Sequence, residues 1–597
     1  MTVDLDLWPI GNCQVSALVD RAGTIVWGCV PRVDGDPVFS GLLDAPEDEA
    51  ERKGVWRLEL VDQVSAEQRF IRNTPVLLTT LTDAAGGKVE IRSFCPRYER
   101  SGRMYRPVAY ARTVRPVAGS PRLVVTLTPT RDYGDPEVAR TNGTNHIRYL
   151  IGPQALRLST DAPVGHILEG RPFRVERDLH FFLGPDEPFV GNIGREVRSM
   201  LDLTTDYWRL WVRGLATPFE WQDAVIRAAI TLKLCQHEET GAIVAALTTS
   251  IPEAPHSGRN WDYRYCWIRD AYYTVQALNR LGALDVLEKY LGYLRNIVDE
   301  MKEGALQPLF SVTGETELVE TEAENLAGYR GMGPVRVGNA AYTQVQHDVY
   351  GQVILPNIQG FCDKRLLRQS TEADFERLEA VGEVAWAKHD QPDAGLWEFR
   401  TRTATHTYSA VMSWAACDRL ANAAAMLGLD DRAAHWTDRA QKVRQTIENE
   451  AWHEASGRYG ASFGTDDVDA SLLQLIDMRF LTAEDPRFRA TFDAIEARLR
   501  RGEHMLRYDA EDDFGLPETA FNFCTFWMIE ALQVIGRGNE ARELFEQMLD
   551  RRTLSGLLSE DMDFETGELW GNFPQTYSLV GIINCAGQLS RPWSDVR

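Results

Sequence analysis

The sequence predicts two structural halves: an antiparallel β-sandwich over residues 1–205 and, after a linker at 206–217, an all-helical domain over 218–597. Three observations carry that division. Apolar residues recur at every second position in the first half. They recur at every third or fourth position in the second half, where long irregular loops interrupt the pattern. A chain of 597 residues is also too long for one ordinary core.

The β half is built from short runs rich in Val, Thr, Leu and Tyr. In the run 122–128, Leu123, Val125 and Leu127 fall on one apolar face. Similar runs occur at 55–61, 76–82, 107–115 and 155–159, separated by turn formers such as Ala84-Ala85-Gly86-Gly87. Short strands at regular spacing predict a sandwich.

The helical half follows a longer period. Cys524, Trp527, Met528, Ala531, Leu532 and Ile535 share one helical face, and Gly536 stops it at a position suited to positive φ. Asn539 is expected to cap the next helix, whose apolar face is Ala541, Leu544, Phe545, Met548 and Leu549. Ile268, Ala271, Tyr272, Val275 and Leu278 make another face, ended by Gly282. About a dozen such segments suit sequential helix hairpins that close into a double-layered α/α barrel; periodicity alone leaves closure open. Two loops stand out between the helices. Residues 251–266 are polar and aromatic, and residues 304–343 carry Gly304, Gly314, Gly328, Gly331, Gly333 and Gly338. Loops of that length inside a compact domain are usually functional.

Composition narrows the partner. The net charge of −23 repels phosphate backbones and anionic lipid, so neither nucleic acid nor membrane is expected. A neutral sugar is indifferent to that field. The N-terminal run has no basic region followed by an apolar stretch, and no membrane-spanning run occurs, so a cytoplasmic protein is expected. The 9 cysteines are scattered without a CxxC pair, which predicts reduced thiols and no zinc site. No phosphate-loop, dinucleotide or HExxH pattern occurs, so no cofactor and no metal are expected. Oligomeric state, a homo-oligomer included, is left open.

Carboxylates, arginines and rings in loops remain as the source of chemistry. Trp261-Asp262-Tyr263-Arg264-Tyr265-Cys266-Trp267-Ile268-Arg269-Asp270 sets an Arg-Asp pair at a loop-to-helix junction. Arg only donates and ionised Asp only accepts, so the pair suits adjacent sugar hydroxyls, with the rings offering flat apolar faces. An isolated pair of this kind is more often an ordinary ion pair at a helix start. In Gly395-Leu396-Trp397-Glu398, the Trp neighbour is expected to raise the Glu398 pKa, as a general acid requires; taken alone, the segment reads as a solvated Glu paired with Arg400. Leu558-Ser559-Glu560-Asp561, followed by Gly571-Asn572-Phe573-Pro574-Gln575, supplies a further acidic turn, and Asp512-Asp513 another; each alone reads as solvated or capping.

In this order and spacing the segments resemble glycoside hydrolase family 15, the family of glucoamylases, glucodextranases and bacterial trehalases. Ile10-Gly11-Asn12, Asp20, Gly23-Thr24-Ile25 and Pro31-Arg32 resemble the trehalase-like N-terminal domain of bacterial members. The resemblance covers nearly the whole chain. It implies a β-supersandwich joined to a catalytic (α/α)6 barrel, and an inverting, exo-acting α-glucoside hydrolase that releases β-glucose from the non-reducing end. Glu398 falls at the general-acid position and Glu560 at the general-base position. Arg269 and Asp270 match the pair that grips the terminal glucose, Tyr263, Trp267 and Trp397 match rings around it, and Arg507 and Tyr577 match further sugar contacts. Inversion requires room for a water, so the two carboxyls are expected about 6.5–9.5 Å apart in surroundings that differ, Glu398 beside a Trp and Glu560 among polar neighbours.

Four departures are expected to reshape the pocket beyond the first glucose. Many members have Ser-Lys where this chain has Ser409-Ala410, Glu-Glu where it has Glu560-Asp561, and Leu-Gly-Asn where it has Trp570-Gly571-Asn572. A histidine often follows the run that here ends in Leu579. The leading reading is a glucoamylase-like or α-glucosidase-like hydrolase of oligosaccharides or disaccharides, with an α,α-trehalase of the same family as the alternative. An inverting disaccharide phosphorylase is disfavoured because Glu560 is retained without a phosphate-binding cluster. An inactive sugar-binding protein is disfavoured because both carboxylates are present.

Overall fold

The computed structural model describes residues 4–152, 154–301 and 305–596. Residues 1–3 of the N-terminal run, Gly304 at the head of the long loop, and Arg597 lie outside the described residues.

The first half is a sandwich of two antiparallel sheets. One runs in the order Trp8–Gly11, Ser16–Val19, Ile25–Val30, Val55–Leu60, Arg122–Thr128 and Phe173–Arg174, with Asp36–Phe39 also pairing on Ile25–Val30. The other runs Ala139–Asn142, His146–Ile151, Gln154–Thr160, Leu179–Pro185, Tyr110–Ala118, Lys88–Phe94, Leu77–Asp83 and Gln63–Phe70. Alternation decides which face is inside: Leu123, Val125 and Leu127 are buried, while Arg122 is exposed and Val124, Thr126 and Thr128 are half-buried. Both sheets feed one core that includes Trp56, Tyr110 and Phe181.

The connection between the two halves is helical. A helix occupies Ile193–Arg213, so the boundary expected at 205 falls inside it. Asn192 caps this helix through its side chain, which accepts from the Arg195 amide. Val197, Met200, Thr204, Trp208 and Val212 form its buried stripe, a period of three to four that begins before 206. Trp208 packs with Cys13, Ile230 and Leu234, so the connection lies on both halves.

Twelve helical segments then form two layers. The inner ones are Ile268–Arg280, Asp348–Asn357, Thr407–Met426, the short pair Ala470–Leu473 and Gln474–Asp477, Asn522–Val534, and Thr576–Leu589. Each packs on the next and the last returns to the first, so the ring closes. Gln222–Leu234, Leu284–Asp299, Glu372–Lys388, Asp430–Glu450, Pro486–Leu499 and Gly538–Asp550 lie outside them. The chain is therefore a β-supersandwich followed by an (α/α)6 barrel. Gly536 has a φ of 88°, the left-handed backbone that ends the Asn522–Val534 helix. Asn539 does not cap its neighbour: the helix already starts at Gly538, without a side-chain cap. Among the described residues no helix is long and apolar enough to cross a membrane. All nine cysteines are unpaired.

The sandwich grips the barrel beneath the 251–266 loop. Arg264 is fully buried and forms a two-pronged ion pair with Asp262, with Nε–Oδ1 and Nη2–Oδ2 distances of 2.9 and 2.7 Å. Its remaining donors go to the sandwich: Nη1 to the Gly35 carbonyl at 2.7 Å and Nη2 to the Tyr133 hydroxyl at 3.0 Å. A buried charge stripped of its partner is strongly destabilising. Arg264→Ala is therefore expected to lower stability by about 3–5 kcal/mol. Tyr133→Phe, which removes one hydrogen bond to a charged group, should cost about 1.5–3 kcal/mol. Denaturant midpoints of the two variants check both values and their order.

Candidate active site

Loops that precede five of the six inner segments meet at one end of the barrel. There they enclose a cavity of about 920 Å³, its open mouth included. Tyr263, Trp267, Arg269, Asp270, Trp397, Glu398, Arg507, Glu560 and Tyr577 all line it, so the nine candidate site residues share one space. The inner wall is a cluster of rings: Phe523 stacks on Tyr577 at 4.1 Å and packs on Trp527 at 4.4 Å between centroids.

Segment 261–267 sets the two carboxylates. The Tyr263 hydroxyl donates to Glu560 Oε1 at 2.7 Å, and the Trp267 indole N–H donates to Glu398 Oε1 at 2.7 Å. The two rings pack edge-on with centroids 5.4 Å apart. Glu398 Oε1 also accepts from Arg269 Nη2 at 3.3 Å and Gln346 Nε2 at 3.4 Å, and the Glu398 carbonyl accepts from Gln344 Nε2 at 3.0 Å. Glu398 itself has a φ of 60°. Left-handed backbone at a non-glycine residue stores strain, and such positions cluster at functional sites.

Trp397 acts differently from expectation. Its indole N–H turns away to Asp469 Oδ2 at 2.9 Å, and the ring that touches the Glu398 carboxylate is Trp267. The reversed backbone at Glu398 explains why chain neighbours point to different partners. The expected contrast in surroundings is also inverted. The Glu398 side chain is 22% exposed, whereas Glu560 is 2% exposed. Burial, and then the adjacent Asp561 and Glu253, push Glu560 well above the usual carboxylate range; Tyr263 and Arg507 pull the other way. Burial and Glu253 raise Asp561 likewise.

Several buried polar atoms at the cavity lack a well-formed hydrogen bond within the protein. Arg269 donates to Leu396 O at 2.8 Å and reaches Glu398, while its Nε faces Asp270 Oδ2 in an ion pair at 3.4 Å. Glu560 Oε2, Arg507 Nε and the Tyr577 hydroxyl have no hydrogen-bond partner. Burial lifts the Asp270 carboxyl to about 6, against the pull of Arg269. Groups so buried and unsatisfied suit a hydroxylated ligand. Gly571 keeps the Glu560 wall open: at its φ of 74° a Cβ would stand 2.9 Å from Glu560 Oε2.

Sequence reasoning missed Glu253, Arg259 and Gln344, which also line the cavity. Glu253 pairs with Arg507 and accepts from the Trp261 indole at 2.9 Å. Its signal was the polar 251–266 loop; its partner is unreadable because it lies in another loop. The four departures stand behind the cavity wall. Ala410, Asp561, Trp570 and Leu579 are buried and are absent from the cavity lining. Ala410 and Leu579 lie inside packed helices, Trp570 packs on Tyr329 at 6.1 Å, and Asp561 accepts from Thr519 at 3.1 Å.

The raised Glu560 carboxyl makes stability depend on pH. In acid, both folded and unfolded chains hold this proton and Glu560 adds no penalty. As pH rises above the ordinary value of 4.5, the unfolded chain ionises freely and the folded chain resists, so stability falls. Glu560→Gln removes that slope. Its melting temperature should rise above that of the wild type by a gap that widens from acid toward neutral pH; parallel melting curves across the range would refute this.

Comparison with known proteins follows the same lines. The chain matches the model for "Glycosyl hydrolases family 15" over residues 221–587. It is 32% identical over 620 aligned positions to a protein named Trehalase from Mycolicibacterium smegmatis, covering 98% of this chain and 90% of that one. It is 30% identical to a Trehalase from Thermoplasma volcanium, covering 97% and 92% of the two chains. The crystal structure of a bacterial glucoamylase complexed with acarbose superposes with a TM-score of 0.69 at 13% identity, over 99% of this chain and 94% of that one; this likeness concerns the fold. With the family model spanning more than half of its length, and with its catalytic-end loops gathered around one sugar-sized cavity, the chain belongs to glycosyl hydrolases family 15 and is a glycoside hydrolase.

Proposed function

We propose that this glycoside hydrolase cleaves α,α-trehalose with inversion at one anomeric carbon. The observation that carries the reading is similarity over nearly the entire chain, sandwich included, to relatives named trehalase. The likeness to a glucoamylase is far weaker in sequence. The leading expectation of a glucoamylase-like enzyme thus gives way to its alternative.

Glu398 is the general acid and protonates the glycosidic oxygen as the bond to C1 breaks. Glu560 is the general base and takes a proton from a water that attacks C1 from the opposite face. Burial and the neighbouring Asp561 and Glu253 raise its pKa and so strengthen it as a base. Tyr263 and Trp267 orient the two carboxylates. Arg269 and Asp270, a loose ion pair lining the cavity, hold adjacent hydroxyls of the sugar being cleaved, with Trp397 and Tyr577 against its faces. Arg507, pinned by Glu253, supplies a further donor. Holding sugar, water and both carboxyls in one frame removes the entropy of bringing them together.

Inversion at one centre converts trehalose and water into one β-glucose and one α-glucose. NMR of the first turnovers should show equal amounts of the two anomers before mutarotation, and an excess of α-glucose would rule out inversion. Across trehalose, maltose, isomaltose, kojibiose, nigerose and starch, kcat/KM should favour trehalose by about tenfold or more; faster cleavage of maltose or starch would overturn the substrate assignment. Glu398→Gln and Glu560→Gln should each lower kcat by about 100- to 10,000-fold with the fold retained. Near-wild-type turnover in either variant would defeat its assigned role.

A further inference from the structure

Three loops that precede the first, third and fifth inner helices touch one another over the mouth of the cavity. From the fifth, the turn at 509–516 presents Asp512, Asp513 and Phe514, all of which line the cavity. Asp512 receives Arg259 of the first loop in a two-pronged ion pair, Nη2–Oδ1 at 2.6 Å and Nη1–Oδ2 at 2.8 Å. Arg259 Nη2 also donates to the Gly515 carbonyl at 3.0 Å. Asp513 reaches the third loop: its Oδ2 accepts from the Arg400 amide at 2.7 Å, and its Oδ1 from the Thr401 hydroxyl. The third side closes through rings and cations. Phe514 packs edge-on against Trp261 at 5.1 Å, and the Arg400 guanidinium lies over Trp261 at 4.3 Å.

The placement of these contacts matters more than their number. The three loops rise from alternate positions of a six-membered ring, so links among all three cross the opening and do not merely join neighbours. The links also differ in strength. The Arg259 and Asp512 pair is nearly buried, whereas Asp513, Phe514 and Gly515 are exposed at the tip. The turn is thus anchored at its base and trimmed at its rim by side chains that solvent reaches.

We infer that the 509–516 turn is a collar that sets substrate length, holding the second sugar of a disaccharide and excluding longer chains, with Asp513 and Phe514 as the specificity-determining residues. This rests on the disaccharide reading above. The collar acts at the side remote from the inner ring wall, where a leaving sugar must sit if the cleaved sugar occupies the space between Glu398, Glu560 and Arg269. A third sugar unit would have to pass the triangle of contacts that joins the 509–516 turn, Trp261 and Arg400. Cutting one side of that triangle opens the exit and at the same time loosens the second sugar.

The test uses Asp513→Ala and Phe514→Gly in the full chain, both at exposed positions so that folding is spared, with thermal melting as the control. Substrates are trehalose, maltose, maltotriose and trehalose extended by one α-glucose. The wild type should lose about tenfold or more in kcat/KM from its best disaccharide to the trisaccharides. Each variant should raise the trisaccharide-to-disaccharide ratio about fivefold or more, with the disaccharide loss appearing mainly in KM. A ratio unchanged within about twofold in both folded variants overturns the collar, as does a wild type that cleaves trisaccharides as well as disaccharides. A wild type that prefers maltose to trehalose defeats the trehalose assignment instead, and leaves the collar testable because the ratio is formed with whichever disaccharide is cleaved faster.

Discussion

Both carboxylates of this enzyme are held by hydrogen bonds from one short stretch of chain. Tyr263 donates to Glu560 and Trp267 to Glu398. The stretch is itself pinned from below by Arg264, whose guanidinium is shared between Asp262 and two groups of the sandwich. A displacement at Arg264 would reach both carboxylates together. The N-terminal sandwich is therefore part of the frame of the active site, though it contributes none of the cavity-lining residues described here.

The barrel explains why so few local signals suffice to build a site. Its inner helices present their N-terminal ends, and the loops before them, to one rim. Arg269, Asp270 and Tyr577 stand in the first turns of inner helices, and Glu398, Arg507 and Glu560 in the loops before them. Helix packing fixes where those loops emerge, so groups far apart in the chain are delivered to one space without a long-range motif. The partial positive charge at the helix starts also suits a rim rich in acidic side chains. The inner wall of Phe523, Trp527 and Tyr577 gives the cavity an apolar end.

Burial then divides the roles of the acidic groups. Glu560 is deeply enclosed beside Asp561, within the influence of Glu253, and burial and these neighbours push its carboxyl well above the usual carboxylate range. Glu398 stands nearer the opening, with three side-chain donors around one oxygen. The more deeply buried carboxyl is thus Glu560 and the more open one Glu398, the reverse of what the flanking residues suggest, because the Trp397 indole turns to Asp469. In the folded chain the environment of a carboxyl is made by what packs over it, and chain neighbours are a poor guide where the backbone reverses at a φ of 60°.

Periodicity and residue chemistry, both local properties, were sufficient for the two-layer plan. The alternation at Leu123, Val125 and Leu127, the helical stripe from Cys524 to Ile535 and the stop at Gly536 follow from how apolar side chains meet water on a strand or a helix. All nine candidate residues were named through motifs that resemble one family, and all nine line one cavity. What the sequence could not decide was pairing. The linker helix begins at Ile193 because a buried stripe for two halves at once is invisible until both halves are in place. The partner of Arg507 is Glu253, the ring on Glu398 is Trp267, and the collar joins Asp512 and Asp513 to Arg259 and Arg400. Each pair links separate loops. Hydrogen bonds and ion pairs act only over a few ångströms, so their partners are chosen by the closed ring of helices that brings those loops together, and no stretch of sequence contains that choice.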